Sequence, residues 1–463
     1  MTKESGMDMQ RRIRRCAWFG ILSFATLITG ADEAGQTWPT WRGPGMRALA
    51  PGKPPVTFSE QENIKWKVEL PGKGDSTPVI WGDKIFLLAA SKTDQKLPPG
   101  QPVESMKTNL SPEMNERMAS VAKRFGITTP EFAYDFQVLC LSRADGAVRW
   151  QKTVRRETPH EGHHRDHGFA SGSPVTDGTH IWCFFGSRGM HCLDLEGNII
   201  WSRELGKMLT RARFGEASSP ALTRKAVIAL LDHEGDSSIV ALDRLTGETL
   251  WEKARNETTS WTTPLVVVHD GVEQIIVSGT TRTYSYAPAT GEIIWECGGQ
   301  TANVIPAPSA AFGMVYCSSG FRGNMLQAIH LGRTGDLTGT DAVAWEVKKN
   351  APYVPSPLLY GEQIHMFAGY KPKLTCVNAK TGAVQFAAQN IEGMKAVYAS
   401  PVGASGRIYV AGRQGAVAVL GNGTTFKVLA VNRLDDKFDA SPAIVGDELY
   451  LRGKKSLYCI ATP

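Results

Sequence analysis

The chain has 463 residues, enough for two or three average domains. Its formal charge of +6 shrinks once residues 1–31 are set aside: the remainder holds 46 Lys/Arg against 43 Asp/Glu, too mild a surplus to argue for a nucleic-acid partner. Glycine, at 47 residues, runs above its usual share, as a chain built of hairpins requires.

The first segment carries Arg11, Arg12, Arg14 and Arg15 ahead of an apolar run, residues 16–28, and then Thr29-Gly30-Ala31. A basic start, an apolar run too short to span a bilayer comfortably, and small residues at its end read as a signal peptide over 1–31, cleaved after Ala31. A retained anchor is the alternative. Cys16 opens the apolar run instead of following it, so it is badly placed for lipid attachment. Residues 32–63, with WPTWRGPG, are expected to form an extended arm packed on the main body by Trp38 and Trp41.

From residue 64 onward the chain repeats itself. Residues 241–251, ALDRLTGETLW, read as strand, tight turn and strand, with Gly247 supplying the positive φ of the turn. The Gly-x-x-x-aromatic step recurs at 146–150, 197–201, 291–295 and 382–386; Trp345 ends a blurred copy, and 423–426 is one residue short. Upstream of each copy lies a Ser/Thr/Ala-Pro pair, at Pro78, Pro174, Pro220, Pro264, Pro308, Pro357, Pro401 and Pro442. The intervals run 41 to 49 residues apart from a first interval of 96. Four short strands in such a period mark a propeller blade, so eight prolines predict an all-β, eight-bladed β-propeller of four-stranded antiparallel blades over 64–463. The last copy supplies only three strands before the chain ends. Its missing outer strand is expected from residues 64–70, with Trp66 in the aromatic slot, because joining the two ends leaves no open sheet edge.

The long first interval contains an insertion at 91–135. Within it Ser111 is an N-cap candidate, Pro112 opens the helix and Gly126 follows its end, which predicts one helix riding on a long loop, either a lid or a surface decoration. Cys140, Cys192 and Cys376 fill the slot held by Ala241 and Ser285 in sister repeats, and Cys459 the matching place in the last. They read as small buried hydrophobes with free thiols.

In an up-and-down blade, the segment entering the inner strand and the turn between the second and third strands share one face. That face is chemically varied here. Its entry segments carry the candidate ligand-binding residues His160, His163, His164, Asp166, His167, Arg211, Arg213, Glu216, Trp261, Asn303, Tyr353, Tyr398, Lys437 and Asp439. The four histidines near 160 match no metal-ligand spacing, so a polar, ligand-facing loop is expected there and no metal. The turns add Arg188, Arg282, Arg322, Lys371, Arg413 and Lys454, which predicts a basic ring around the mouth, suited to an anionic ligand.

ALDRLTGETLW and its partial copies resemble the Ala-x-Asp-x-x-Thr-Gly-x-x-x-Trp repeat of the quinoprotein, or PQQ-like, β-propellers, over nearly all of residues 64–463. WPTWRGP, FGEASSP and FDASPAIVGDELYLRG are similar to an exported bacterial subgroup of that family. The resemblance implies that Trp66, Trp150, Trp201, Trp251, Trp295 and Trp345 dock between blades against a neighbouring turn. It also implies one of two roles: a periplasmic or secreted binding and scaffolding module, similar to the lipoprotein that assists outer-membrane barrel assembly, or a PQQ-dependent dehydrogenase of alcohols or sugars with Ca²⁺ on the quinone. The chain has no adjacent Cys-Cys pair and no C-x-x-C-H haem site, which favours the binding module. The expected partner is a small anionic ligand or an envelope protein, the expected state a monomer, with no catalytic residue and no cofactor firmly implied.

Overall fold

The computed structural model describes residues 37–96 and 106–462; the expected signal peptide lies outside them. Eight four-stranded antiparallel sheets form the blades of a β-propeller. Blade 3 shows the pattern: Ala221–Leu222, Ala226–Leu231, Ser238–Asp243 and Thr249–Ala254 succeed one another from the axis outward. The middle strands are buried almost throughout, with an apolar run at their centre, because both faces are covered by neighbouring blades. The outer strand alternates, burying Trp251 and exposing its flanks.

The small-residue slot has a direct cause. Cys140 pairs across the sheet with Trp150, Cys192 with Trp201, Ala241 with Trp251, Ser285 with Trp295 and Cys376 with Phe386. A larger side chain there would collide with the indole. Each ring then reaches the next blade. Trp150 donates its indole N–H to the Leu195 carbonyl (3.1 Å), Trp201 to Arg244 (3.1 Å), Trp251 to Pro288 (2.8 Å) and Trp345 to Ala379 (3.2 Å). The turn glycine lies under the ring: a Cβ on Gly247, at φ +73°, would sit 2.6 Å from Trp201. Trp295 departs from this pattern. The third turn of blade 5 is expanded, and its Gly335–Asp336 segment pairs in parallel with the strand of Trp295, whose indole bonds Gln274 instead (3.2 Å).

Closure follows the sequence reading. Ile64–Glu69 pairs with Ser456–Ile460, Trp66 opposite Cys459, and completes blade 8. Trp66 docks on the Arg143 carbonyl of blade 1 (3.0 Å), and the Arg143 side chain returns to Glu448 (2.7 Å). This seam also explains the short repeat at 423–426. Blade 8 has no turn joining its third and outer strands, so the outer strand of blade 7, Val428–Arg433, has no glycine turn to dock on. It carries no Trp. Phe426 precedes that strand and packs on Phe386, ring centres 5.8 Å apart.

The Ser/Thr before each proline ties the blades together around the axis. The N–H of Thr77 donates to Ser173 Oγ (2.9 Å), Ser173 to Ser219 (2.9 Å), Ser219 to Thr263 (3.2 Å), Ala307 to Ser356 (2.9 Å), Ser356 to Ser400 (2.9 Å) and Ser400 to Ser441 (3.0 Å). Ala307 breaks the sequence of hydroxyls. From the other end the arm closes the axial channel: Thr37–Trp38 adds to the inner edge of blade 1, Leu49–Ala50 to that of blade 7, and Trp41 lines the channel between them.

Candidate functional site

The insertion decides where the site lies. Helix α1, Pro112–Arg124, is capped by Ser111, whose Oγ accepts the Met114 N–H (3.2 Å); Gly126, at φ +67°, follows its end. The segment before it docks on the blade 3 turn, where Asn109 bonds the Glu234 carbonyl (2.8 Å) and Lys107 meets Asp236 (2.8 Å). Anchored there, α1 lies against Arg211–Arg213 and roofs the axial opening. Met114, Met118, Val121 and Phe125 face down from it into a cavity of about 650 Å³.

The cavity floor and walls are largely aromatic. Trp261, Phe214, Phe321, Tyr353, Tyr370 and Tyr398 line it. Trp261 is fixed by an indole bond to the Gly215 carbonyl (2.7 Å), Tyr353 stacks on Phe321 (ring centres 5.1 Å), and Tyr370 meets Tyr398 edge-on (5.8 Å). Phe125 packs on His164 (5.0 Å) and Phe214 (5.5 Å), which joins the roof to the wall. Below this chamber the axial channel, of about 170 Å³, continues past Asp166, His167, Trp261 and Tyr398 to the Ser/Thr ring.

Eight of the sequence-derived candidates line the chamber: His164, Asp166, His167, Arg211, Trp261, Asn303, Tyr353 and Tyr398. Asp439 lines only the channel, and Arg213 a smaller pocket beneath α1. His160, His163, Glu216 and Lys437 do not face the chamber. The four histidines diverge: His160 points to the Met208 carbonyl (2.7 Å), His163 packs on Phe169 (4.6 Å), and His167 bonds Ser171 (2.6 Å) while its Nε2 is buried without a partner. Burial holds His167 down to about 3, so it stays neutral.

The expected basic ring is corrected by its carboxylates. Arg188 is buried, bonded to Glu216 (3.1 Å) and Glu157 (3.4 Å) and set over Phe136 and Phe169. Arg282 is taken by Asp336 (3.0 Å) and Glu296 (3.3 Å). Arg413 holds Asp439 (2.7 Å) and Asp166 (2.8 Å), and Lys454 holds Asp75 and Asp439. Arg211 meets buried Glu234 (3.2 Å). The entry-segment carboxylates Glu216, Asp166, Asp75 and Asp439 sit within reach of Arg188, Arg413 and Lys454, and a charge shielded from water is costly to leave unpaired. Lys371 is exposed and outside the chamber lining. Of the ring residues Arg322 alone faces the chamber, stacked on Phe321 (5.4 Å); Arg117 on α1 joins it. Neither has a carboxylate partner among the described residues.

The lining residues missed from the sequence are those of α1 and the aromatics Phe214, Phe321 and Tyr370. Met114, Met118, Val121 and Phe125 stand at helical spacing in a polar segment, a signal for one covered face. Nothing in the sequence says what that face covers.

Elsewhere on this side, buried His160 and Glu161 and half-buried Glu216 form a cluster behind the chamber wall. Burial and the neighbouring Glu216 push the Glu161 carboxyl up to about 8.

The architecture is that of a closed eight-bladed propeller with its chamber at the axial mouth. Residues 134–263 and 235–462 match the family model described as outer membrane protein assembly factor BamB, and the chain belongs to that family of PQQ-like β-propellers. No curated protein sequence matches it. Among solved structures it is similar to BamB from Moraxella catarrhalis, at 14% identity and TM-score 0.47, covering 72% of this chain and 90% of that one. It is also similar to the quinohemoprotein alcohol dehydrogenase from Comamonas testosteroni, at 12% identity and TM-score 0.49, over 93% and 81% of the two chains. A europium-containing methanol dehydrogenase matches at 11% identity and TM-score 0.45, over 91% and 90%. Likeness at this level carries no argument about activity. Among the described residues no helix is long and apolar enough to cross a membrane.

Proposed function

We propose that the protein is an exported binding module of the cell envelope, and that it captures a molecule with an apolar or aromatic body and an anionic end in the chamber beneath α1. The observation that carries this reading is the pairing of an aromatic chamber with two arginines, Arg117 and Arg322, that lack carboxylate partners among the described residues. The apolar body would lie among Trp261, Phe321 and Tyr398 under the methionines of α1, with the anion at the arginine rim. The basic start and apolar run of residues 1–31 support export.

The second reading is a quinone-dependent dehydrogenase. Its flat, multiply charged cofactor suits the aromatic walls, but the donor set does not suit the cation that would hold it. Among the described residues Asp166 is the one carboxylate facing the chamber, and Arg413 already holds it. The test titrates the purified protein with 8-anilinonaphthalene-1-sulfonate and, separately, with PQQ and Ca²⁺, followed by a dye-reduction assay with simple alcohols and sugars. Salt-sensitive binding of the sulfonate without dye reduction supports the binding module. Turnover with PQQ and Ca²⁺ would replace it by the dehydrogenase reading, and no saturable binding of either probe removes both.

A further inference from the structure

Two entry loops meet behind the chamber wall. The loop into blade 2 brings His160 and Glu161, and the loop into blade 3 brings Glu216. One ring nitrogen of His160 and one carboxylate oxygen from each glutamate all lie within 4.8 Å of one another. His160 and Glu161 are 3% and 1% exposed, so no solvent reaches to balance them.

The hydrogen bonds at this point do not add up for protein atoms alone. Glu216 accepts from the Ser187 N–H (2.8 Å), the Ser187 hydroxyl and Arg188 (3.1 Å). Glu161 accepts only from Thr210, through its N–H (3.1 Å) and hydroxyl (2.6 Å), both neutral donors. Among the described residues Arg188 is the one guanidinium in contact with the cluster, and it is shared with Glu157. A buried carboxylate and a half-buried one therefore divide part of one positive charge, an arrangement that burial of Glu161 penalises. His160 adds a second imbalance. Its Nε2 sits 2.7 Å from the Met208 carbonyl and must donate there, which puts the lone pair on Nδ1; Nδ1 is buried and has no partner.

A proton on Glu161 would answer the charge but leave Nδ1 empty. A cation answers both. We propose that His160, Glu161 and Glu216 form a structural site for one first-row divalent transition-metal ion. One imidazole and two carboxylates are a donor set such ions accept, with ligand bonds of about 2.0–2.2 Å for zinc, reached from the present spacing by small side-chain rotations. The N–H of His160 on a backbone carbonyl is the outer bond that fixes the tautomer of a ligating histidine. The ion would lock together the two loops that carry His164, Asp166, Arg211 and Phe214 to the chamber. This site stands independently of the chamber's ligand.

The test measures metal content and thermal stability of the full chain after incubation with Zn²⁺ or Mn²⁺ and exhaustive dialysis. The expected result is about one equivalent of metal per chain, a lower melting temperature after chelation, and at least tenfold less retained metal in both His160→Gln and Glu161→Gln. A protein that retains no metal after saturation overturns the proposal, whatever the variants do. So does a Glu161→Gln protein that melts like the wild type and retains as much metal, since that identifies Glu161 as a protonated acid.

Discussion

Arg413 sets its guanidinium 4.0 Å from the ring centre of Tyr398 and, from that position, holds Asp166 of blade 2 from its own place on blade 7. Burial pushes the Asp166 carboxyl up, but Arg413 more than reverses this and leaves it below the usual carboxylate range. Arg413→Gln should cost about 1–3 kcal/mol, because Asp166 is left half-buried without its cation while Asp439 keeps Lys454. A double-mutant cycle with Asp166→Asn, read by urea denaturation, should show coupling of about 0.5–3 kcal/mol. Additive losses would mean that the contact across the mouth is idle.

The seam is the next weak point. Trp66 is buried between blade 8 and the Gly146 turn of blade 1, so Trp66→Ala should destabilise by about 3–5 kcal/mol. Gly146→Ala attacks the same contact from the other side, since its Cβ would lie 2.8 Å from the indole at φ +76°. Both variants should raise limited proteolysis near residue 64. Wild-type resistance in either would show that the ring does not rely on this latch.

Charge at the chamber can be dissected by contrast. Arg322→Ala should weaken an aromatic sulfonate or carboxylate about tenfold and reduce the salt dependence of binding. Arg282→Ala should leave affinity unchanged, because Asp336 and Glu296 already satisfy that side chain. Equal losses in calorimetric titrations of the two variants would restore the basic-ring picture.

Acid stability should report buried histidine. His191 lies between Ser202 Oγ (2.8 Å) and the Arg188 carbonyl (3.1 Å), with Phe185 beside it. Burial first, and then the charge of Arg155, lower it to about 4 despite the bond to Arg188. The unfolded chain takes up this proton near pH 6.5, the native state only near 4. The stability is thus complete above about 6.5 and lost as pH falls toward 4, by up to about 1.4 kcal/mol per pH unit. His191→Gln should flatten the pH dependence of the melting temperature by that share; an unchanged slope assigns it to other groups.

Thiol chemistry offers a simple check of blade packing. Cys140, Cys183, Cys192, Cys297, Cys317, Cys376 and Cys459 are free and buried, and burial pushes Cys140, Cys192, Cys376 and Cys459 up to about 12. A disulfide-exchange reagent should find almost none of these seven in the native protein and all of them in denaturant. Rapid native labelling would contradict the slot assignment.

The repeat, the blade number and the closing strand were legible in the sequence because each rests on a local rule. Gly247 and its sister glycines must lie under an aromatic ring, Cys459 must be small because it faces Trp66, and a last repeat with only three strands must find its fourth elsewhere. The entry segments were legible as the varied face for the same reason, since strand order alone puts them beside the axis. Which of their side chains meet was not. Arg188 and Arg413 look alike in sequence, yet one is buried against Phe169 and the other straps the mouth, because pairing depends on carboxylates far away in the chain. The roof was equally hidden: the periodicity of α1 shows an apolar face, and only the docking of residues 107–109 on blade 3 decides that this face covers the axis. Local backbone chemistry is written residue by residue, whereas convergence at a site is a sum over distant segments that exists only once the ring has closed.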